Sequence, residues 1–407
     1  METKNPRCAG IDVHKDSLKV AARVDGQVFV QTFGATSAEI FAMADWLDSL
    51  GVKIVAMEST GVYWKPVWNL LEDRFELILA NAHHVKSIPG CKTDVKDCNW
   101  VAELLEYGLV PRSLVPPRPQ RELRDLTRQR TSLNEDRARV VNRVQKTLED
   151  ANIKLGSVAT DIMGKSGRAI LEALIEGKLT VDQMVQLVHK RMEAKKPALR
   201  AALEGRVTEH HRFMLRQALD QIDHLDRQIQ DFDRRIDQVM SPLEREAVKR
   251  LDAVPGLDVR SAQIVLAEIG TDMSRFPSSR HLASWAGLCP GNHESAGKRR
   301  SGRTRQGNGY LKATLCQAGW GASRTRRSYF SAQHKRLTTR RGVKRANMAV
   351  AHSLLVTCYH LIKTPQDYKD LGPDYFQKTP DPERSAQQMV KRLQKLGYSV
   401  KIERVAA

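Results

Sequence analysis

Four heptads of apolar residues lie in register between residues 215 and 239. One heptad position holds Leu215, Ile222, Ile229 and Ile236, and the other holds Ala218, Leu225, Phe232 and Val239. A repeat of this length predicts one long helix whose apolar stripe packs against another helix. The dipeptide Ser241-Pro242 ends the pattern.

A less regular stripe precedes it in the chain. Leu126, Leu133 and Val140 recur every seven residues, and the pattern then drifts to Val144 and Leu148. The two stripes could pair as an antiparallel hairpin within the chain, or each could pair between chains. An ordinary amphipathic bundle helix is the simpler alternative for the second stripe. We therefore expect a long helical coiled-coil region over residues 116–243.

Residues 1–115 show a different pattern, and three prolines within Leu114–Pro119 mark its end. Asp25-Gly26 between two strand-like segments indicates a β-hairpin, and Ser37 is the expected N-cap of the first helix. The mixture predicts an α/β domain. Its predicted strands are Cys8–Val13, Ser17–Val24, Gln27–Thr32, Lys53–Met57 and Phe75–Ala80, and its predicted helices are Ser37–Leu50, Gly61–Asp73 and Thr93–Tyr107.

Residues 244–363 read as a third, mainly helical domain, followed by a tail of mixed charge over residues 364–407. Within it, Leu251–Gly270 has the pattern of a helix, a Pro-Gly hairpin and a second helix. In a basic protein, this helix-hairpin-helix pattern favours contacts from loop amides and a helix N-terminus to a phosphate backbone.

The charge of the chain favours a polyanionic partner. Lys and Arg number 66 against 47 Asp and Glu, which gives a net charge of +19 and a pI near 9.8. Between Ser295 and Gln366 there are sixteen Lys or Arg residues and no acidic residue. Such a run is not explained by a salt-bridged surface, so we expect this segment to bind nucleic acid.

Other classes of protein are disfavoured. No stretch approaches the ~20 apolar residues of a membrane span, and the polar segment Met1–Arg7 does not resemble a signal peptide. The six cysteines are scattered with no CxxC pair, which argues against a disulfide framework and against structural zinc. We expect a protein of the reducing cytoplasm.

Four carboxylates stand where a phosphoryl-transfer site would need them. Asp12 interrupts an apolar strand, Glu58 ends the next buried strand, and Asp94 and Asp97 lie three residues apart on a predicted helix. Such a set can bind Mg²⁺, with Mn²⁺ as the alternative ion. Taken singly, Glu58 could be a strand-end feature, and Asp94 and Asp97 could be solvated surface residues.

Three segments carry a family resemblance: GIDVHKDSLKVA, MESTGVYW and KTDVKDCNWVAELL. They resemble the three motifs of the DEDD-type insertion-sequence transposases, whose catalytic domain is RuvC-like with an RNase H fold. The resemblance implies that Asp12, Glu58, Asp94 and Asp97 form the metal-binding, catalytic tetrad.

A glycine-rich basic segment runs from Trp285 to Lys312, WAGLCPGNHESAGKRRSGRTRQGNGYLK. Small neighbours at Ala296 and Gly297 would let a phosphate approach Ser295 closely. From the residues alone, we interpret the segment as a phosphate-binding loop followed by a helix, and most serines in such basic loops are polar filler rather than nucleophiles. The expected nucleic-acid-binding residues are Lys298, Arg299, Arg300, Arg303, Arg305 and Lys312.

The same segment is similar to the C-terminal domain of these transposases. The Gly287-Leu288-Cys289-Pro290 and Gly307-Asn308…Leu311-Lys312 motifs flank the serine as in the family. The resemblance implies that Ser295 is the nucleophile, with Ser301 a weaker candidate. Ala296 departs from the family pattern, which has glycine there.

The resemblance also implies the partners of the protein. Members of this family act on donor and target DNA, are guided by a structured bridge RNA, and assemble as tetramers with composite sites. Self-association, from dimer to tetramer, and a location at the bacterial nucleoid are therefore expected, with no membrane partner.

The sequence thus predicts a DNA recombinase in which Ser295 attacks the scissile phosphate with the help of Mg²⁺. One alternative is a hydrolytic, RuvC-like junction resolvase that uses water as nucleophile. The other is a non-enzymatic, basic scaffold that binds nucleic acid.

Overall fold

The computed structural model describes residues 3–59, 61–80, 97–291, 293–295, 297–376 and 382–401. The chain divides into two compact units, Met1–Pro117 and Arg118–Ala407. No helix among the described residues has both the length and the apolar character needed to cross a membrane.

A five-stranded mixed sheet forms the centre of the first unit, in the order β3-β2-β1-β4-β5. The first three strands are antiparallel, whereas β1, β4 and β5 run parallel. This α/β architecture is consistent with the RuvC-like domain expected from the sequence. The strands are β1 (Arg7–Val13), β2 (Ser17–Val24), β3 (Gln27–Gly34), β4 (Ile54–Glu58) and β5 (Glu76–Ala80).

Helices cover both faces of this sheet. On one face, α1 (Ser37–Ser49) and α2 (Trp64–Leu71) pack against alternate residues of β1 and β4 such as Ile11 and Met57. On the other face lies α3 (Asp97–Glu106), whose apolar side chains contact Cys8, Ile54, Ala56, Ile78 and Ala80.

The Asp25-Gly26 hairpin is confirmed, since both residues have positive φ and join β2 to β3 directly. The prediction of Ser37 as N-cap was wrong by one residue. The side chain of Thr36 accepts the hydrogen bond from the Glu39 N–H, so Ser37 is the first helical residue. The helix predicted over Gly61–Asp73 is shorter at both ends.

Two long helices dominate the second unit: α4 (Arg118–Asp150, 33 residues) and α9 (Glu209–Val239, 31 residues). Arg130 pairs with Asp233, and Arg137, further along α4, pairs with Asp226, earlier in α9. The helices are therefore antiparallel within one chain, the first of the arrangements that the sequence left open.

The apolar seam of α4 differs from the predicted one. Leu133, Val140, Val144 and Leu148 are buried as expected, but Leu126 is only half-buried. The buried positions before Leu133 are instead Gln120, Leu123, Thr127 and Arg130. In α9, Leu215, Ile222, Ile229 and Ile236 are all buried, whereas Val239 is 38% exposed.

A small helical bundle joins the two long helices, and the remaining helices follow α9. The bundle contains α5 (Leu155–Val158), α6 (Lys165–Glu176), α7 (Val181–Gln186), a 3₁₀ helix (Lys190–Lys195) and α8 (Lys196–Leu203). After α9 come α10 (Pro242–Asp252), α11 (Val259–Ile269), a 3₁₀ helix (Met273–Arg275), α12 (Ser279–Trp285), the strands β6 (His293–Ser295) and β7 (Lys298–Ser301), α13 (Gly309–Arg324), α14 (Tyr329–Arg341), α15 (Val343–Lys363), a 3₁₀ helix (Pro373–Phe376) and α16 (Pro382–Lys395).

Candidate functional site

Asp12 and Glu58 lie at the carboxyl ends of neighbouring parallel strands. The register pairs Ile11 of β1 with Met57 of β4, so the next residue of each strand is one of the two carboxylates. Side chains alternate along a strand, and Ile11 and Met57 both point into the core beneath α1 and α2. Asp12 and Glu58 therefore share the opposite face, the one that α3 covers.

Helix α3 passes very close to β1 just before this pair. A Cβ placed on Gly10 would lie 2.4 Å from the Cys98 carbonyl oxygen and 2.5 Å from the Ala102 nitrogen. Only glycine allows this approach. Burial raises the pKa of the Cys98 thiol above its usual value, and the negative charge of nearby Asp12 acts in the same direction. The first turn of α3 thus lies beside Asp12.

The side chain of Asp12 is only 13% exposed, and Glu58 is 9% exposed. His14, two residues after Asp12, places its Nε2 atom 3.0 Å from Asp12 Oδ2. Sequence reasoning missed His14. This residue follows Asp12 by two positions in GIDVH, and in an extended segment that spacing puts both side chains on the same side. The two carboxylates are oxygen donors held at one edge of the sheet, which is the chemistry that Mg²⁺ prefers.

The other two predicted ligands are less fully described. Asp97 is the first residue of α3, so its backbone lies at the end of the helix nearest the carboxylate pair; its side chain lies outside the described part of the chain. Asp94 also lies outside the described residues. Within the described residues, no group of three His, Cys, Asp or Glu side chains forms a metal site.

Ser295 ends a strand at the tip of a β-hairpin. Strands β6 and β7 are antiparallel, and Ser295 lies directly opposite Lys298 in their register. A bridge between Pro290 and Thr304 and a hydrogen bond of 2.8 Å from the Gly291 N–H to the Arg303 carbonyl extend the pairing toward the base. The described residues between 290 and 304 therefore form paired β-structure where the sequence was interpreted as a loop, and we call this segment the serine hairpin (residues 290–304).

Two glycines close the base of the serine hairpin. A Cβ on Gly307 would lie 2.4 Å from the Gly287 nitrogen, so the two backbones are in direct contact. These glycines belong to the two motifs that flank the serine in sequence. Their contact brings the motifs together, and α13 begins immediately afterwards, capped by the Asn308 side chain, which accepts from the Leu311 N–H at 3.0 Å.

The predicted nucleic-acid-binding residues fall into three groups. Lys298, Arg303 and Arg305 are exposed on or beside the serine hairpin. Lys312 donates a hydrogen bond of 2.8 Å to Thr304 Oγ1, and so braces the hairpin base. The side chains of Arg299 and Arg300 lie outside the described part.

A buried carboxylate that sequence reasoning missed supports the start of α13. Glu268, near the end of α11, is fully buried and accepts a hydrogen bond of 2.5 Å from Asn308 Nδ2. Arg128 of α4 binds both of its oxygens, at 2.7 and 2.9 Å, and Arg124 lies 3.1 Å from Oε2. The only sequence signal was an acid within the apolar helix QIVLAEIG.

Comparison with known families agrees with this picture. Residues 9–153 match the family model of the IS110-type DEDD transposases, and residues 248–335 match the model described as the transposase IS116/IS110/IS902 family. The first match contains Asp12, Glu58, Asp94 and Asp97. The second contains Glu268, Ser295 and the whole serine hairpin.

Two curated proteins show the extent of the similarity. A Pseudomonas aeruginosa protein named "Probable family 20 transposase" is 28% identical over 276 residues, which cover 67% of this chain and 71% of the relative. The transposase for insertion sequence element IS1111A of Coxiella burnetii is 21% identical over 373 residues, which cover 90% of this chain and 92% of the relative. Similarity therefore extends over both units, and the chain belongs to the IS110/IS116 family of DEDD transposases, which are DNA-cutting enzymes of transposition.

Proposed function

We propose that this transposase cuts and rejoins DNA through Ser295, with Asp12, Glu58, Asp94 and Asp97 as the acidic set that assists the attack. The observation that carries the proposal is the position of Ser295 at the tip of the serine hairpin, opposite exposed Lys298. This position in the backbone register lies beside a basic residue that could bind a DNA phosphate.

The chemistry conserves the energy of the DNA backbone. The Ser295 hydroxyl oxygen forms a bond to phosphorus while the bond from phosphorus to the 3′ oxygen breaks. The serine proton leaves, and the departing 3′ oxygen takes up a proton to become a 3′-hydroxyl. The DNA is then held by a 5′-phosphoserine link, which a new 3′-hydroxyl can attack to restore both a phosphodiester and the free serine.

We assign phosphate binding to the basic residues and metal binding to the acidic set. Exposed Lys298, Arg303 and Arg305 are suited to bind the flanking phosphates and to offset charge on the phosphorus oxygens. Asp12 and Glu58 are two nearly buried carboxylates at adjacent strand ends, and carboxylate oxygens are the ligands that Mg²⁺ prefers. Together with Asp94 and Asp97 they would hold Mg²⁺ or Mn²⁺, which supplies electrostatic stabilisation of the reacting phosphate.

A hydrolytic mechanism is the second candidate. The carboxylate pair at the sheet edge favours it, because an acidic set can also activate water for phosphodiester cleavage. The two mechanisms differ in their products, since hydrolysis leaves a free 5′-phosphate and no protein–DNA bond.

We further propose that a structured RNA from the element guides the enzyme and that four subunits act together. The family resemblance implies both the RNA and the assembly, and the net charge of +19 with its acid-free run of sixteen basic residues supports binding to a polyanionic partner. Treatment of the purified protein with ribonuclease tests the RNA: DNA cutting should be lost, and should return when the element's own transcript is added.

The role of the acidic set is tested with Asp12→Asn in cells that carry the element on a plasmid. Excision, scored by amplification of the rejoined junction, should fall at least ~100-fold, because removing one preorganised electrostatic group from an active site costs about 2.7 kcal/mol or more. Asp45→Asn, at a 72% exposed carboxylate on α1, is the matched control and should keep wild-type excision. Wild-type excision by a folded Asp12→Asn protein would remove Asp12 from the mechanism.

A further inference from the structure

Strand β3 forms an unprotected edge of the sheet in the first unit. It is the outermost strand, and Val28, Phe29 and Val30 are 43%, 38% and 57% exposed. Natural edge strands usually carry lysine, proline or another charge that prevents pairing with a further strand. The eight residues of β3, QVFVQTFG, contain none of these, in a chain of which 28% is charged.

The backbone of β3 presents a regular row of hydrogen-bonding groups at this edge. The two-residue turn Asp25-Gly26 makes Val24 and Gln27 a hydrogen-bonded pair. Pairs in an antiparallel ladder alternate, so Phe29 and Gln31 also direct their N–H and C=O groups toward β2. The same groups of Val28, Val30 and Thr32 therefore point away from the sheet.

The sequence of the edge is a palindrome. Residues 27–31 read QVFVQ, with Phe29 at the centre. A second copy of β3, placed antiparallel about a twofold axis at Phe29, would pair Val28 with Val30 of the second copy and Gln27 with Gln31 of the second copy. The two Phe29 residues would face each other as a non-hydrogen-bonded pair, which matches the outward groups of Val28 and Val30.

We propose that β3 is a self-association edge, at which two copies of this chain join their sheets through antiparallel β3–β3 pairing. The joint sheet has ten strands. The two Val28–Val30 pairs and the central phenylalanine pair would be cross-strand contacts of the kind that stabilise sheets. Because the twofold axis reverses the strand direction of the second copy, the Asp12–Glu58 pairs of the two copies would lie at opposite strand ends of the joint sheet.

This arrangement does not depend on how DNA is cut, so it is tested without DNA. Phe29→Cys is oxidised in the full-length protein and run on a non-reducing gel. Cα atoms of a non-hydrogen-bonded pair lie about 4.5 Å apart, within reach of a disulfide, so a covalent dimer is expected. Gln31→Cys is the control, because its two copies would be four residues out of register, about 13 Å apart.

Wild type, whose own cysteines include partly exposed Cys289 and Cys316, sets the background. Dimer from Phe29→Cys well above both Gln31→Cys and wild type supports the twofold register. Equal dimer from the two variants would overturn it.

A second test of β3–β3 pairing needs no cross-link and measures the mass of the protein in solution. Val30→Lys puts a charge on a strand edge and should halve the mass measured by light scattering. Val62→Lys, at a 63% exposed valine outside the strands, should leave it unchanged. A wild-type monomer, or an unchanged mass for Val30→Lys, would show that β3 does not join two copies.

Discussion

Glu268 is a buried charge that holds three segments of the second unit together. Arg124 and Arg128 come from α4, Glu268 from α11, and Asn308 from the cap of α13. Burial lowers the pKa of Arg124 below its usual value, although the Glu268 charge opposes the shift. If the Glu268 carboxylate is neutralised, Arg124 and Arg128 lose their negatively charged partner at the same time.

We expect Glu268→Gln to lower the free energy of unfolding by about 3 kcal/mol, because removing one member of a buried ion pair leaves the other uncompensated. Urea unfolding of the purified protein measures the change. Glu122→Gln is the matched control: Glu122 is 67% exposed and pairs with Arg118 one helical turn away. Its loss should cost less than about 0.5 kcal/mol. Similar losses in both variants would contradict the supporting role of Glu268.

At the level of single residues, sequence reasoning can select a charge that has no ordinary structural role. Asp12 could be singled out because a carboxylate in an apolar strand is costly without a partner. The structure places it, with Glu58, at the edge of the sheet. Glu268 could not be interpreted in the same way, because its partners are 140 and 40 residues away and belong to helices whose packing no local pattern specifies.

Among the elements, the long helices show what apolar periodicity can and cannot predict. The repeat in α9 identified one heptad position of the buried stripe, which is built from Leu and Ile, whereas only Leu225 of the second position is buried. In α4, Arg130 is 2% exposed and hydrogen-bonded to Asp233 and Gln263. A periodicity that counts only apolar residues cannot include a buried arginine, so Leu126 was chosen instead.

The backbone contact between Gly307 and Gly287 should be required for the position of the serine hairpin. Gly307→Ala would force a methyl group to within 2.4 Å of the Gly287 nitrogen. Overpacking of this kind costs about 1–3 kcal/mol and should displace the hairpin, so we expect both a lower unfolding free energy and reduced excision.

Gly309→Ala provides the comparison, two residues further along the same motif. A Cβ on Gly309 meets nothing within 4 Å, and alanine favours the helix that begins there. This variant should retain stability and excision. If Gly307→Ala were equally harmless, the contact with Gly287 would not define the hairpin base.

At the scale of the whole molecule, the excess of positive charge should dominate DNA binding. Each phosphate contact adds about 0.9 to the slope of log affinity against log salt concentration. Arg303→Ala/Arg305→Ala should therefore flatten that slope by up to about 2, measured by fluorescence anisotropy with a duplex from the element. Arg139→Ala/Arg234→Ala removes two exposed, acid-paired arginines and should leave the slope unchanged. Equal slopes for both double variants would exclude Arg303 and Arg305 from phosphate contact.

The general architecture could be predicted from the sequence, but the short helices and strands that join its main elements could not. Alternating strands and helices followed by long helices predicted an α/β domain over residues 1–115, a coiled-coil region over residues 116–243 and a mainly helical domain over residues 244–363. The bundle of α5 to α8 was missed, because its helices of four to twelve residues are too short to show a repeat. The β-strands of the serine hairpin were missed because a basic, glycine-containing segment has no apolar alternation.

The most direct test of serine chemistry is a covalent trap. Wild type, Ser295→Ala and Ser301→Ala are each incubated with Mg²⁺, end-labelled element DNA and the element's transcript, then denatured and resolved on a gel. We predict a labelled protein–DNA band for wild type and Ser301→Ala, and none for Ser295→Ala. Cleavage by wild type that yields free 5′-phosphate ends and no such band would contradict the serine mechanism and assign the cutting step to water.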